Sequence, residues 1–528
     1  MTDILFGQSY YLRFDPKLWA AMQPYPPLGT LYAASYMREK GYDVALFDAM
    51  LAEGTGEWAA ALRQYQPHYA VIFEDNFNYL SKMSLLRMRD AAFEMVGMAK
   101  AQGCTVIVSG ADMSDHAGLY LQNGADYVLL GEGEETLAEL VAYLADGSRN
   151  NSTTQEARAH GGAPLPETIL GDVTSDSGLY AIQSLAYLHN GEVVKTPPRP
   201  VIRDLDALPF PAWDLVNREK YRRMWIERHG YFSMNLVTTR GCPFHCNWCA
   251  KPIWGQKYSV RSPQNVVAEM AWLKANFQPD HIWFMDDIMG IQDRWIEAFA
   301  DELDRTGAHI PFKSLNRVDL LLRGKTIPAL ARAGAQIVWV GAESGSQKIL
   351  DAMDKGTQVE QIYEATRQLH AHGVKVAFFL QFGYPGETRE DIEKTLQMVR
   401  DLMPDDIGIS VSYPLPGTPF YEQVRGELGE RANWIDSEDM AMLYQGPFRT
   451  EFYRQLHTVV HKDYRSRKTW AELRRLLRNP ASLRPGHIRQ TAAMLYHRLT
   501  LRSAQAKLNS LALLPHEPTR LPNVAITE

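Results

Sequence analysis

Three of the chain's four cysteines fall in one string, Arg240-Gly241-Cys242-Pro243-Phe244-His245-Cys246-Asn247-Trp248-Cys249, so any fold must present these thiols together at one loop. Thiolates are soft ligands, and three in a short loop suit three corners of a [4Fe–4S] cluster, leaving the fourth iron open to a substrate or cofactor. Zinc is the competing reading, but zinc asks for four ligands. The remaining cysteine, Cys104, lies far away in the apolar run Cys104-Thr105-Val106-Ile107-Val108, where it reads as a buried strand residue. His245 sits between two of the cysteines, an awkward position from which to complete a tetrahedron.

At 528 residues the chain is long enough for about three domains, each able to bury its own core. Its 55 Lys and Arg against 62 Asp and Glu give a formal charge of −7, which carries no general nucleic-acid footprint. The start, Met1-Thr2-Asp3-Ile4-Leu5-Phe6, has neither the basic nor the long apolar region of a secretory signal, and no run of 18 apolar residues occurs. The expectation is a cytoplasmic, reducing location.

Residues 1–145 alternate short apolar runs with amphipathic stretches. Strands are expected at Ile4–Phe6, Val44–Phe47, Tyr69–Phe73, Thr105–Val108 and Tyr127–Leu130, with helices such as Leu31–Lys40 and Glu134–Leu144 between them. That rhythm predicts a doubly wound, Rossmann-like parallel sheet, whose ligands bind at the carboxyl ends of strands. Ser109-Gly110-Ala111 and Gly131-Glu132-Gly133-Glu134 stand at such ends. Residues 146–230 read as linker and connector: Gly147 to about Pro166 is rich in Ser, Asn, Thr, Gly and Ala, and 167–200 offers only weakly strand-like pieces. A second α/β rhythm fills 231–425, with strands expected at Asn235–Thr238, Ile282–Phe284, Phe312–Leu315, Ile337–Val340, Val376–Leu380 and Ile407–Val411. Six βα units predict a partial (β/α)6 barrel, and the cysteine loop follows its first strand, where barrel-type sites are built.

The spacing C-x3-C-x2-C, with Trp248 just before the last cysteine, resembles the signature of radical S-adenosylmethionine (SAM) enzymes. The strings Pro26-Pro27-Leu28-Gly29-Thr30-Leu31-Tyr32, Gly41-Tyr42-Asp43-Val44, and Gly124-Ala125-Asp126-Tyr127-Val128 running into Gly131-Glu132-Gly133-Glu134-Glu135-Thr136 resemble the cobalamin-binding domain that precedes many radical SAM domains. Asp204-Leu205-Asp206-Ala207-Leu208-Pro209-Phe210-Pro211-Ala212 is similar to the connector of that branch. The D-x-H-x-x-G motif that supplies a histidine to cobalt in other cobalamin enzymes is absent; Glu74-Asp75-Asn76-Phe77-Asn78-Tyr79 stands in its neighbourhood. The resemblance therefore implies cobalamin held by Ser109, Gly110, Gly131, Glu132 and Gly133 without histidine ligation.

It also implies [4Fe–4S] ligation by Cys242, Cys246 and Cys249, with SAM chelating the open iron and cleaved to a 5′-deoxyadenosyl radical. Trp248, Asp286 and Asp287, Arg317, Glu343 and Ser344, and Gln381 correspond to the family's SAM contacts. On residue chemistry, Asp286 and Asp287 can accept from a protonated amine, and Arg317 can meet a carboxylate.

About residues 426–528 carry no such resemblance and read as a mainly helical, basic region. Between Lys462 and Lys507, twelve Lys and Arg face only Asp463 and Glu472, while Trp470, Leu473, Leu476 and Leu477, then Ala493, Leu495, Tyr496 and Leu499, recur at helical spacing. Two readings stand: a helical cap on the barrel, or a basic amphipathic surface that meets the inner face of an anionic membrane. Leu513-Leu514-Pro515-His516-Glu517-Pro518 reads as a frayed tail.

The resemblance implies a cobalamin-dependent radical SAM methyltransferase of the class B type. It would act on an unactivated carbon of a small-molecule or lipid substrate and draw electrons from a flavodoxin or ferredoxin. The alternatives are a radical cyclase, oxidase or rrearrangement enzyme with the same cofactors, or an iron–sulfur redox or sensor protein.

Overall fold

The computed structural model describes residues 2–77, 86–159, 177–251, 253–428, 440–478 and 485–514. The first sheet has seven strands in the order β2-β1-β3-β4-β5-β6-β7. They are β1 (Ile4–Gly7), β2 (Val44–Leu46), β3 (Tyr69–Phe73), β4 (Thr105–Ser109), β5 (Tyr127–Leu129), β6 (Leu185–His189) and β7 (Glu192–Lys195). β1 to β5 are parallel, and β6 and β7 add to the edge antiparallel. Strands such as Tyr69-Ala70-Val71-Ile72-Phe73 are apolar almost throughout because helices cover both faces of a parallel sheet. The strand order reverses between β1 and β3, and at such a switch point the diverging connections leave a crevice at the carboxyl ends.

The expected linker is partly helical. The helix starting at Glu134 runs to Ala159 rather than stopping near Leu144, and 160–176, with the rest of that stretch, lie outside the described residues. The weak strand pieces of 167–200 become β6 and β7; β6 buries only Leu185, Ala186 and Tyr187 and β7 is largely exposed, which explains the faint apolar signal. Asn78 and Tyr79 of the histidine-free string lie outside the described residues, as does the tail from Pro515.

The second sheet holds β8 (Ser233–Leu236), β11 (His281–Phe284), β12 (Phe312–Asn316), β13 (Ala335–Glu343), β14 (Lys375–Phe382) and β15 (Asp406–Val411). All are parallel and neighbour one another in chain order, an open barrel segment of six βα units. Two of the surrounding helices start on side-chain caps. Ser262 accepts from Asn265 N ahead of Pro263–Asn276, and Thr388 with Asp391 forms a capping box at Arg389–Leu402. A two-residue antiparallel pairing, β9 (Thr239–Arg240) with β10 (Ser259–Val260), closes the base of the loop that carries the cysteines.

Two helices, Thr450–Arg478 and Pro485–Ala512, pack on each other and on the barrel. Arg400 pairs with Asp463 at 2.9 Å, and Tyr464 Oη donates to Pro404 O at 2.7 Å, so one face of this region is a cap. The expected apolar stripe is turned the other way: Leu495, Tyr496 and Leu499 are 53%, 60% and 81% exposed, while Met494, Ala504 and Leu508 are buried. Among the described residues no helix is long and apolar enough to cross a membrane.

Candidate functional site

Two sets of strand ends face each other across the molecule, joined by the segment just before the cysteines. At the first sheet's switch point, Glu74 follows β3 and its backbone N–H donates to Ser109 O at 2.8 Å. One oxygen of its carboxyl accepts from Ser9 N (2.8 Å) and Ser9 Oγ (2.6 Å); the other is buried without a partner. Burial pushes the Glu74 carboxyl up to about 7, against the lowering effect of the Ser9 bonds. The side-chain amide of Gln8 and the hydroxyl of Ser109 are likewise buried and unsatisfied. Buried polar groups normally find partners, so several orphans at one crevice fit a polar ligand that would supply them.

The glycines expected here serve the packing of that crevice. A Cβ on Gly110 would stand 2.8 Å from Glu74 Cγ, and one on Gly133 would stand 2.8 Å from both Phe73 Cε2 and Ser109 Oγ. Only glycine lets the helix at Glu134 approach the ends of β3 and β4 so closely. Gly29 and Thr30 seat the helix Leu28–Glu39 on the same end: Gly29 N donates to Asp75 Oδ1 at 3.0 Å and Thr30 Oγ1 to Phe73 O at 2.6 Å.

Glu132, expected as a cofactor contact, is used otherwise. One oxygen accepts from Arg240 Nη1 (2.6 Å) and Trp254 Nε1 (3.2 Å), and the other from Ile202 N (2.6 Å). Arg240 also pairs with Glu134 at 2.8 Å, all three side chains being buried. Both oxygens being committed, Glu132 ties the first sheet to the start of the cysteine loop; burial raises its carboxyl and Arg240 opposes that rise. Gly131, at φ +71°, lies beside the same loop, 3.4 Å from Ile253 O on adding a Cβ.

The cysteine loop leaves β9 through Gly241 at φ +77°, a left-handed turn where any Cβ would strike Lys257 O. Asn247, between Cys246 and Trp248, is pinned from three segments. It donates through its backbone to Met353 O (3.1 Å) and through Nδ2 to Ala352 O (2.7 Å), and accepts from Tyr384 Oη (2.9 Å) and Phe420 N (3.0 Å). Burial raises the Cys242 thiol and pushes Cys249 up to about 12, and the nearby Asp287 carboxylate adds to both. Among the described residues no three His, Cys, Asp or Glu side chains form a single-ion site. A cluster is held at three corners rather than about one point, and three soft thiols on one braced loop match its donor set.

Several expected SAM contacts also brace this loop. Asp286 accepts from Thr238 N (2.7 Å), Thr238 Oγ1 (2.6 Å) and Thr239 N (2.9 Å), so its carboxylate is spent holding the exit of β8. Arg317 does meet a carboxylate, but that of Asp319 at 3.0 Å; it also donates to Lys355 O (2.8 Å) and reaches Cys246 Sγ (3.7 Å). Its guanidinium stacks 3.7 Å over Phe244. Glu343 pairs with Lys355 at 2.8 Å from a left-handed backbone (φ +55°), where the β13–β14 register slips. Gly341 makes room for that pair, since its Cβ would stand 2.5 Å from Glu343 Oε1 and 2.6 Å from Lys355 Nζ. Ser344 bonds Thr395 Oγ1 at 3.1 Å and accepts from Ser346 N, and Gln381 donates to Ser412 Oγ at 3.1 Å. Trp248 keeps an unpartnered buried indole N–H, and Asp287 is exposed beside the thiols.

Sequence reasoning missed Gln8, Ser9 and Glu74 as crevice residues, Arg240 and Trp254 as the link between sheets, and Lys355 and Asn247 as braces. Only Glu74, in the position of the missing histidine motif, carried a signal that could have been weighed.

Residues 236–399 match the model of the Radical SAM superfamily. An uncharacterized methyltransferase of Pyrococcus horikoshii is 26% identical over 416 residues, 78% of this chain and 81% of that one. The anaerobic magnesium-protoporphyrin IX monomethyl ester cyclase of Rubrivivax gelatinosus is 25% identical over 424 residues, 78% and 68% of the two chains. Among solved structures, the radical S-adenosylmethionine methyltransferase TsrM from Kitasatospora setae, with cobalamin and a [4Fe–4S] cluster bound, is similar at TM-score 0.61 and 18% identity, covering 80% of this chain and 78% of that one. The cobalamin-dependent S-adenosylmethionine radical enzyme OxsB is similar at TM-score 0.66 and 16% identity, covering 98% and 77%. The two structural likenesses bear on the fold.

Proposed function

From the premise that the chain carries a Radical SAM superfamily domain, we propose that it is a cobalamin-dependent radical SAM methyltransferase of the class B type, acting on an unactivated carbon of a small-molecule or lipid substrate. The observation that carries the reading is the convergence of two prepared sites. Three thiols sit on a loop braced from β8, β12, β13 and β14, and Arg240 joins that loop to a crevice lined by unsatisfied polar groups.

When bound, the cluster, SAM and cobalamin would supply hydrogen-atom abstraction and a transferable methyl group. Cys242, Cys246 and Cys249 would hold the cluster, and Arg317 would place a positive charge 3.7 Å from Cys246 Sγ. Trp248, with its free indole N–H, and Asp287, exposed beside the thiols, are the residues positioned for SAM. Gln8, Glu74 and Ser109 would line the cobalamin crevice, with glycines at Gly110, Gly131 and Gly133 and no histidine among them.

Relatives named as methyltransferases support methyl transfer, and the cyclase of Rubrivivax gelatinosus supports the second reading, radical chemistry without net methylation. Reconstituted enzyme given SAM, a reduced flavodoxin or ferredoxin and isotopically labelled methyl separates them. Label in bound cobalamin and then in product is expected; product without label would leave the cyclase reading, and no SAM cleavage would end both. We also infer a peripheral membrane contact through the exposed Leu495, Tyr496 and Leu499 and a groove of about 850 Å³ where Arg474 and Arg498 stack on Trp470.

A further inference from the structure

The inner face of the second sheet holds a lysine whose ammonium meets aromatic rings and, among the described residues, no anion. Side chains on a strand alternate between faces, and here one set, Ile282, Phe284, Phe312, Val338, Val340 and Phe378, is fully buried. Phe284 meets Phe299 of the helix Asp293–Thr306, which fixes that set as the helix-facing one. The alternate set, Trp283, Lys313, Leu315, Trp339 and Phe379, faces the barrel lumen and stays accessible, Phe379 being 40% exposed. Trp339 and Phe379 lie 4.6 Å apart, and a Cβ on Gly408 would stand 3.4 Å from the Trp339 ring and 3.2 Å from the Phe379 ring, so the two rings make one aromatic shelf over Gly408.

Lys313 pairs in register with Trp283, and its ammonium sits 3.9 Å over that ring and 5.6 Å from Tyr25. Among the described residues no carboxylate and no carbonyl takes it. Lys313 is half-buried, and the fully buried cations of this half of the molecule are matched: Arg240 with Glu132 and Glu134, Arg261 with Glu269 at 2.6 Å, Arg317 with Asp319, and Lys355 with Glu343. Burying an ammonium without an anion is costly, and here burial pulls Lys313 down to about 8. A ring face offsets part of that cost but offers no hydrogen-bond acceptor.

We propose that Lys313 anchors a carboxylate carried by a flat, unsaturated substrate that lies against Trp339 and Phe379. A single ammonium is a point charge that one carboxylate matches, and among the described residues the lumen face of these strands brings no arginine fork beside it to meet the further oxygens of a phosphate. Arg317, which touches Cys246, lies four residues further along the chain from Lys313, about 13 Å at strand rise. The substrate class is thus an extended aromatic or conjugated acid whose charged group sits roughly that far below the reacting end. This deepens the radical SAM reading, and rests on it for the identity of the reacting end.

The test needs no turnover. Pyrenebutyrate and pyrenebutanol share ring and chain and differ in the carboxylate, and both report binding by fluorescence. Full-length protein is expected to bind the acid at least about tenfold more tightly than the alcohol. Lys313→Met, which keeps the length and removes a charge that has no partner to strand, should erase the preference while leaving the alcohol within about twofold. Lys313→Arg should keep most of it, and Trp339→Ala should weaken both probes alike. Equal binding of acid and alcohol by the wild type, a preference that survives Lys313→Met, or no binding of either probe would overturn the anchor. SAM cleavage is scored separately: discrimination without cleavage supports the anchor while removing the radical chemistry, and cleavage without discrimination removes the anchor alone.

Discussion

The carboxyl ends of the two sheets are built on opposite terms. In the second sheet the polar residues that follow the strands are spent on one another: Asp286 on Thr238 and Thr239, Arg317 on Asp319, Glu343 on Lys355, and Ser344 on Thr395. In the first sheet Gln8, Glu74 and Ser109 are buried with atoms left over. A site whose ligands are three covalently placed thiols needs its surroundings to hold a loop still. A site that grips a large polar cofactor through many weak contacts needs donors and acceptors in reserve. The contrast holds for the brace residues named and not for every polar group, since Trp248 Nε1, Asn235 Oδ1 and Glu387 Oε1 on the second sheet's side are also buried without partners.

The largest effect should come from the thiols, since nothing else in the second sheet can replace them. Ala at Cys242, Cys246 or Cys249 should lower reductive SAM cleavage by more than about a thousandfold, read as 5′-deoxyadenosine released by reconstituted protein. Retained cleavage in the triple variant would break the comparison at its root, because the braces would then be holding an idle loop.

Next in size is the joint between the sheets. Arg240→Met strands two buried carboxylates, Glu132 and Glu134, and the loss of one partner from a buried ion pair costs about 3–5 kcal/mol. Denaturant unfolding should report that loss, and cluster incorporation should fall with it. A triple Arg240→Met, Glu132→Gln, Glu134→Gln variant should recover much of the stability, since no uncompensated charge remains.

The deficit at the first sheet has its own signature. Glu74 holds its proton more tightly folded, about 7, than at its ordinary 4.5, because burial disfavours the carboxylate. Its contribution is therefore fully present below pH 4.5 and is lost as the pH rises through 7, a loss of about 3 kcal/mol. Buried Asp48, Asp286 and Glu387 are raised too and slope the same way, so the difference between wild type and Glu74→Gln is what isolates this residue. That difference should grow between pH 5 and 8 in the cofactor-free protein and shrink when cobalamin is bound. A flat difference would mean that the crevice is already satisfied and the contrast between the sheets is void.

What was legible in the sequence follows the same division. Strands such as Tyr69–Phe73 were read to the residue because a parallel strand buried on both faces is an unbroken apolar run, whereas β6 and β7 at the sheet edge were faint because β6 buries only a three-residue run and β7 is largely exposed. The cysteines were legible because their spacing is itself the chemistry. Asp286 and Glu343 were read as ligand contacts because a carboxylate after a strand looks the same whether it meets a substrate or a neighbouring loop; Thr238 and Lys355, which decide the matter, are far away in sequence. Lys313 passed unnoticed for the converse reason. A lysine inside a strand reads as a solvent-facing residue until its neighbours prove to be Trp283 and Tyr25.

The smallest effect concerns the C-terminal helices, which combine both patterns. Their inner face is tied to the barrel, Arg400 and Arg467 sharing Asp463, while their outer face leaves Leu495, Tyr496 and Leu499 in solvent on a segment where twelve Lys and Arg meet two acids. Residues 495, 496 and 499 share one helical face, so an interfacial contact would bury them together. Each basic residue near an anionic surface adds about 1 kcal/mol, and only those on the outer face count, so the attachment is weak and salt-sensitive. Vesicles containing phosphatidylserine should sediment the protein at low salt and release it at high salt. Leu499→Glu should cut that binding about tenfold, since it removes an apolar contact and adds a repelled charge, without altering SAM cleavage. If the wild type ignores anionic vesicles even at low salt, the outer face is simply the solvated back of a cap, and only the inner face, tied to the barrel, has a function.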